Sequence, residues 1–212
     1  MQNYKDDQQM SRRKMILTGK GQIIVTPDIA KLKIGVQTNA MTVTEAQANN
    51  ATISHNVIDS IKQLGITEIQ TVQYQIEQLY DYQNGERIDK GFQVRNVFEV
   101  NVTNIPLVGT VIDTAVNHGA NIVDSISFDV SNPDIFYQLA LNQAVKNAIQ
   151  KAKSVAASLK IMFDPIPILI TESSSLPIPY SRSLLMRENA SSTPIEPGNN
   201  QIEAMVTVEF LY

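Results

Sequence analysis

The 212-residue chain contains no cysteine, no tryptophan and only two histidines. Without thiols it forms no disulfide, builds no thiolate metal site and has no cysteine nucleophile, and the redox compartment stays open. Charge of one sign is equally scarce. Seventeen basic against 21 acidic residues leave a net charge of −4, which is no electrostatic footprint for nucleic acid. No apolar run approaches the roughly 20 residues that a membrane-spanning helix needs, so no transmembrane segment is expected. What the chain does have is 43% hydrophobic residues. At this length it can bury roughly 70% of the surface its unfolded form exposes, with no metal or disulfide to staple it.

Residues 1–14 are polar and without periodicity, and are expected to form a disordered tail. Ser11-Arg12-Arg13-Lys14 before Met15-Ile16-Leu17 imitates a signal peptide, but the apolar stretch stops at Thr18-Gly19. A signal core needs about 7–15 apolar residues, so a cytoplasmic location is expected, with export from a signal outside this sequence as the alternative. Residues 22–38 read as two strands turning at Thr26-Pro27-Asp28. In the second, Ala30, Leu32, Ile34 and Val36 alternate with polar positions. From Thr42 the period lengthens: Ala46, Ile53, Val57, Ile61 and Leu64 mark a helix that Gly65 ends.

Strands follow near 69–80 and 91–103, joined through Asn84-Gly85, the sequence of a type I′ hairpin. A strict two-residue hairpin would set Tyr74 opposite Arg95, whereas one extra residue restores apolar against apolar. Gly91 is the expected site of that bulge. Asn104-Ile105-Pro106 opens a short helix ending at Gly119, and 121–130 is a strand. Asn132-Pro133 starts the longest helix, 133–160, with an apolar stripe of Ile135, Leu139, Val145, Ala148, Ala152, Val155 and Leu159. On its flank Ala140, Ala144, Ala148, Ala152 and Ala156 recur every fourth residue, small enough for close packing. Ile166, Ile168 and Ile170 mark a strand, residues 173–199 form a long Pro/Ser-rich loop, and Ile202 to Phe210 close the chain in strict alternation.

The fold class is therefore α+β: an antiparallel or mixed sheet of about seven strands, with three helices packed mainly on one face. The chain is expected to be a disordered tail, 1–14, followed by a single domain, 15–212.

No catalytic constellation emerges. His55 and His118 fall on separate helices with no metal-ligand spacing, and are expected to be structural. Gly19-Lys20-Gly21 lacks the spacing of a phosphate loop and reads as a flexible strand entry. Asp81, Glu86 and Asp89 crowd a hairpin tip but read as a solvated turn rather than a cation site. The serines of 173–192 have no histidine in sequence context to activate them. Tyr74, Tyr80 and Tyr82 cluster on one hairpin without a basic stripe, so they suit a subunit interface or ordinary packing rather than a nucleic-acid platform. Sequons at Asn50, Asn101 and Asn189 are common by chance, and the first two lie in regular elements. No catalytic residue, metal ligand or cofactor is assigned.

The order of these pieces resembles one family. Gly19-Lys20-Gly21, then Val25-Thr26-Pro27-Asp28-Ile29-Ala30 and Ile34-Gly35-Val36, is similar to the opening of SIMPL-domain proteins. Gly91-Phe92-Gln93-Val94-Arg95-Asn96 resembles the family's glycine-aromatic strand. Val111-Ile112-Asp113-Thr114-Ala115, Gly119-Ala120-Asn121 and Ile126-Ser127-Phe128 resemble its middle segment, the alanine-rich helix its long helix, and Ile195-Glu196-Pro197-Gly198 its close. Lys160-Ile161 departs from the glycine turn usual after that helix. The family includes bacterial periplasmic immunogenic proteins and a mammalian protein associated with a Pelle-like kinase. The resemblance implies an α+β domain, ring-like homo-oligomers, no established enzymatic activity, and an uncharacterised role linked to stress response or the envelope.

Two functions are thus expected in competition. The first is a non-enzymatic, self-assembling protein with Tyr74, Tyr80 and Tyr82 at the oligomer interface. The second is a small-molecule-binding protein, or an unusual hydrolase, with a pocket beneath the 173–199 loop and Arg182 and Arg187 contacting an anion. A protein partner acting through an adaptor role would rest on family analogy alone.

Overall fold

The computed structural model describes residues 13–173 and 193–212. The expectations for the N-terminal tail, for most of the 173–199 loop, for the Asn189 sequon and for Arg182 and Arg187 lie outside the described residues, except that Arg13 and Lys14 fall within them. The elements run Lys14–Val25 (β1), Ile29–Ala40 (β2), Val43–Gln63 (α1), Ile69–Gln83 (β3), Glu86–Val102 (β4), Val108–Asn117 (α2), Ile122–Asp129 (β5), Pro133–Leu159 (α3), Leu169–Glu172 (β6) and Asn200–Leu211 (β7). This is an α+β fold. Its strands are shared between two antiparallel sheets, ordered β1-β7-β6 and β3-β4-β2-β5. The chain accordingly divides into two compact units, one holding β1, α3, β6 and β7, the other β2 to β5 with α1 and α2. Thr26-Pro27-Asp28 therefore passes the chain from one sheet to the other instead of closing a hairpin.

In the four-stranded unit, one face of the sheet makes the core. Leu32, Ile34 and Val36 of β2 and Phe98, Val100 and Val102 of β4 meet Val57 and Ile61 of α1 and Val108 and Val111 of α2, all fully buried. Helix α1 begins where Thr42 accepts a hydrogen bond from the Glu45 amide, and ends before Gly65 at φ +83°. A polar thread runs through the α1 contact. Asn50, completely buried, donates to the carbonyls of Val36 (2.9 Å) and Val94 (3.1 Å). Its own oxygen accepts from Ser54, whose hydroxyl accepts in turn from Asn96. Burial at Asn50 closes that sequon to modification. At the edge, the Asp28 carboxylate accepts from the Ser131 amide and hydroxyl, both at 2.7 Å, fastening the end of β5 to the start of β2.

The three-stranded unit is organised differently. Met15, Gly19, Gly21 and Val25 of β1 point to the face that α3 covers, and Ala140, Ala144, Ala148, Ala152 and Ala156 are the buried residues of that helix. A Cβ added at Gly19 or Gly21 would collide with the backbone of Ala144 or Ala140, so the two glycines exist for close approach and not for flexibility. This corrects the expected stripe on α3. Ile135, Leu139 and Leu159 are exposed, because a helix brought this near a strand can seat only alanines between them. The β1 strand also starts eight residues earlier than its apolar run suggests. Its outer edge is met by α3 side chains: Gln143 accepts from the Gln22 amide (2.8 Å), Asn147 accepts from the Lys20 amide (3.2 Å), and Lys151 donates to the Thr18 carbonyl (2.7 Å). On β7, Ile202, Ala204, Val206, Val208 and Phe210 are buried, with Phe163 edge-on to Phe210. Lys160 takes the left-handed cap of α3 at φ +53°, the conformation a glycine would adopt without strain.

Candidate functional site

The β3–β4 hairpin carries the exposed chemistry. Asn84 at φ +52° and Gly85 at φ +86° make the tight turn, with Gln83 paired to Glu86. Moving away from the turn, Tyr80 pairs with Asp89 but Leu79 with Gly91, so Lys90 is the extra residue and Gly91, at φ +87°, takes the bulge. Tyr74 consequently lies opposite Asn96, not Arg95, and Ile76 opposite Val94. The Asp89 carboxylate supports the bulge by accepting from the Gly91 amide at 2.9 Å. A second irregularity at Val72, this time on β3, cancels the first, and Thr71 pairs with Phe98.

This register gives β3 two unlike faces. One bears Tyr74, Ile76, Gln78, Tyr80 and Tyr82; the other bears Gln73, Gln75, Glu77, Leu79 and Asp81. On the second, Gln73 donates to Gln75 and Gln75 to Glu77, a row of side chains along the strand. Arg95 reaches from Gln73 on β3 to Asp124 on β5, bonding the Asp124 carboxylate at 2.7 Å. On the first face, Tyr80 and Tyr82 stand edge to face with ring centroids 5.9 Å apart. The Arg87 guanidinium lies 4.3 Å over the Tyr80 ring and also donates to Gln78. Tyr74, Tyr80 and Tyr82 are 49%, 53% and 65% exposed, and Ile76 and Val72 are also uncovered. All three expected interface residues thus share one solvent-facing stripe, whose aromatic end is held rigid by its own contacts.

The other candidates separate. No three His, Asp or Glu residues among the described residues are placed to hold a metal ion. At the hairpin tip, the Asp81 carboxylate accepts from the Tyr82 amide and Asp89 is occupied by Gly91 and Gln78. His55 is exposed on α1, and the His118 ring is bonded to the Thr114 carbonyl at 2.7 Å in the last turn of α2. In the three-stranded unit, a cavity of about 490 Å³ is lined by Lys20, Gln22, Gln143, Ser173, Glu203 and Met205, among others. Sequence reasoning missed this cavity's walls. No helix among the described residues is long and apolar enough to cross a membrane.

The fold and the hairpin define an α+β protein with two antiparallel sheets and an exposed aromatic stripe on one of them. The chain belongs to the SIMPL family, described as a protein of unknown function (DUF541), whose profile matches residues 15–210. It is similar to the 26 kDa periplasmic immunogenic protein of Brucella melitensis, with 29% identity over 210 residues covering 93% of this chain and 84% of that one. It is also similar to the uncharacterized protein YggE of Escherichia coli K12, 27% identical over 154 residues, 72% of this chain and 63% of the relative. YggE of Edwardsiella ictaluri is 22% identical over 183 residues, 84% of this chain and 77% of the relative.

Proposed function

We propose that this SIMPL-family protein is a non-enzymatic, self-assembling protein of the cell envelope. The observation that carries the assembly is the stripe of Tyr74, Ile76, Tyr80 and Tyr82, exposed together on one face of a long hairpin. An aromatic and aliphatic stripe interrupted only by Gln78 is costly to leave in water and has the composition of a subunit contact. The non-enzymatic part of the reading is supported by the separation of His55 from His118 on different helices and by the local bonding of Asp81, Asp89 and His118. Export is supported by the Brucella relative, whose name places that protein in the periplasm.

Absolute mass by light scattering, across a range of concentrations, tests the assembly. A discrete multimer whose mass does not change on dilution is expected. A particle of 23.5 kDa at every concentration overturns it. Fractionation of cells carrying the natural gene tests the compartment, with recovery in the cytosol alone as the contrary outcome.

The cavity beside Ser173 favours a second reading, a binder of small polar molecules. Lys20 and Glu203 at its walls suit a ligand bearing both charges. Thermal shift against a panel of amino acids, other metabolites and metals checks this, because specific binding raises stability by mass action. A panel without a hit removes the reading.

A further inference from the structure

The edges of the two sheets are not equally defended. At β1 the outer backbone is bonded by Gln143, Asn147 and Lys151 of α3. Strand β6 is four residues long, and at β5 the Phe128 carbonyl accepts from Asn200. Strand β3 is different: it ends its sheet, runs for 15 residues and contains no lysine, arginine or proline, its acidic residues being Glu77 and Asp81, of which Asp81 covers the Tyr82 amide, and its bulge lying near one end at Val72. Lysine and proline are among the devices by which edge strands ordinarily refuse a partner, and between the bulge and the turn β3 has neither.

Resting on the self-assembly reading above, we infer that β3 pairs antiparallel with β3 of a second copy, about a two-fold axis through Gln78. The register follows from the side chains. With Gln78 on the axis, Tyr74 of each copy faces Tyr82 of the other and Ile76 faces Tyr80, so the exposed stripe of each copy continues into its partner. On the opposite face Asp81 meets Gln75, Glu77 meets Leu79, and Gln73 meets Gln83. No carboxylate lies directly opposite another. Moving the axis one position toward the N-terminus sets Glu77 against Glu77, and one position toward the C-terminus sets Glu77 against Asp81, both repulsive. An axis at Ile76 leaves Tyr82 without an aromatic partner and carries Val72, the bulged residue, into the pairing. The overlap about Gln78 runs over residues 73–83, the stretch between that bulge and the Asn84-Gly85 turn. The two four-stranded sheets become one continuous sheet, and the symmetry is closed, as expected of a two-fold contact.

The absence of cysteine makes the test direct, since a single introduced thiol can form a protein disulfide only with the same residue of another copy. Across a two-fold strand pair the Cβ atoms of Gln78 are about 4.5–5.5 Å apart, within disulfide reach after a small adjustment. Those of Gln83 lie about 34 Å apart, at roughly 3.4 Å per residue. The full-length Gln78→Cys and Gln83→Cys variants, each shown by circular dichroism to be folded, are oxidised under native conditions and run without reductant. Gln78→Cys is expected to convert most of the chain to covalent dimer, and Gln83→Cys to give essentially none. If light scattering shows a multimer but Gln78→Cys stays unlinked, or Gln83→Cys links instead, edge pairing is overturned while self-assembly stands. If the unmodified chain is a monomer at every concentration, both fall together.

Discussion

Single side chains set the junctions of this molecule, and Asp28 is the clearest. Its carboxyl is held below the ordinary value of 3.8, first by the Ser131 hydroxyl and then by the Ser131 amide. A carboxyl with a lowered folded pKa adds stability that is complete above its unfolded value and is lost as pH falls through the folded one. Stability measured by urea unfolding is therefore expected to decline more steeply below about pH 4 in the native protein than in Asp28→Asn. The site is at the surface, so the difference is small, but its sign is fixed. Asn50 acts where water is absent. Truncating it to alanine strands the carbonyls of Val36 and Val94 without their donor and leaves Ser54 without its acceptor. Asn50→Ala is expected to cost about 3 kcal/mol in the same measurement, while Thr52→Ala, at an exposed position, should fall within about 0.5 kcal/mol of the parent.

At the scale of elements, periodicity was legible, and so was the close-packing alanine flank of α3, but not the strand it packs on. The alternation of Ala30 to Val36, the 3.6-residue rhythm of Ala46 to Ile61 and the closing run from Ile202 locate β2, α1 and β7 to within a few residues. The hairpin yielded even its bulge, because Asn84-Gly85 sets a register and the apolar pattern demands another, so one residue had to be absorbed at Gly91. What failed was the face of α3. Amphipathic reasoning assigns the large residues to the interior, yet Gly19 and Gly21 draw the helix so near β1 that only alanine fits. That information is divided between two segments over a hundred residues apart, and neither segment is unusual alone. Gly21→Ala, conservative in composition, is therefore expected to be severe. Its Cβ would press on the Ala140 backbone and move the helix, at about 2 kcal/mol or more of stability by thermal or urea unfolding.

For the whole molecule, the tyrosines were visible as a cluster in the sequence, and the structure adds that they share one exposed face. The division of seven strands into two sheets could not be read beforehand, because β1 and β2 are joined by turn chemistry indistinguishable from that of a hairpin. The prediction at this scale concerns assembly. Tyr80→Ser/Tyr82→Ser removes the two rings that stand edge to face and the platform beneath Arg87. Sedimentation is expected to show the assembly dissociating at concentrations at least tenfold above those that dissociate the parent, with the monomer still folded. An unchanged sedimentation profile would exclude the hairpin as the contact.

The three α3 side chains along β1 behave as a vernier. Four residues of helix advance about 6.0 Å and two residues of strand roughly 6.6 Å, so Gln143, Asn147 and Lys151 track Gln22, Lys20 and Thr18 with a mismatch of only about 0.6 Å per step. Side-chain length absorbs that drift across three marks. The residues at the next marks on either side are Leu139 and Val155, which carry no hydrogen-bonding group. Helix and strand are thus commensurate for one short interval, and the polar row is as long as that coincidence lasts. Deleting a single residue between Ala144 and Ala148 would rotate later marks about 100° away from the strand, undoing the edge seal and the alanine seat in one step.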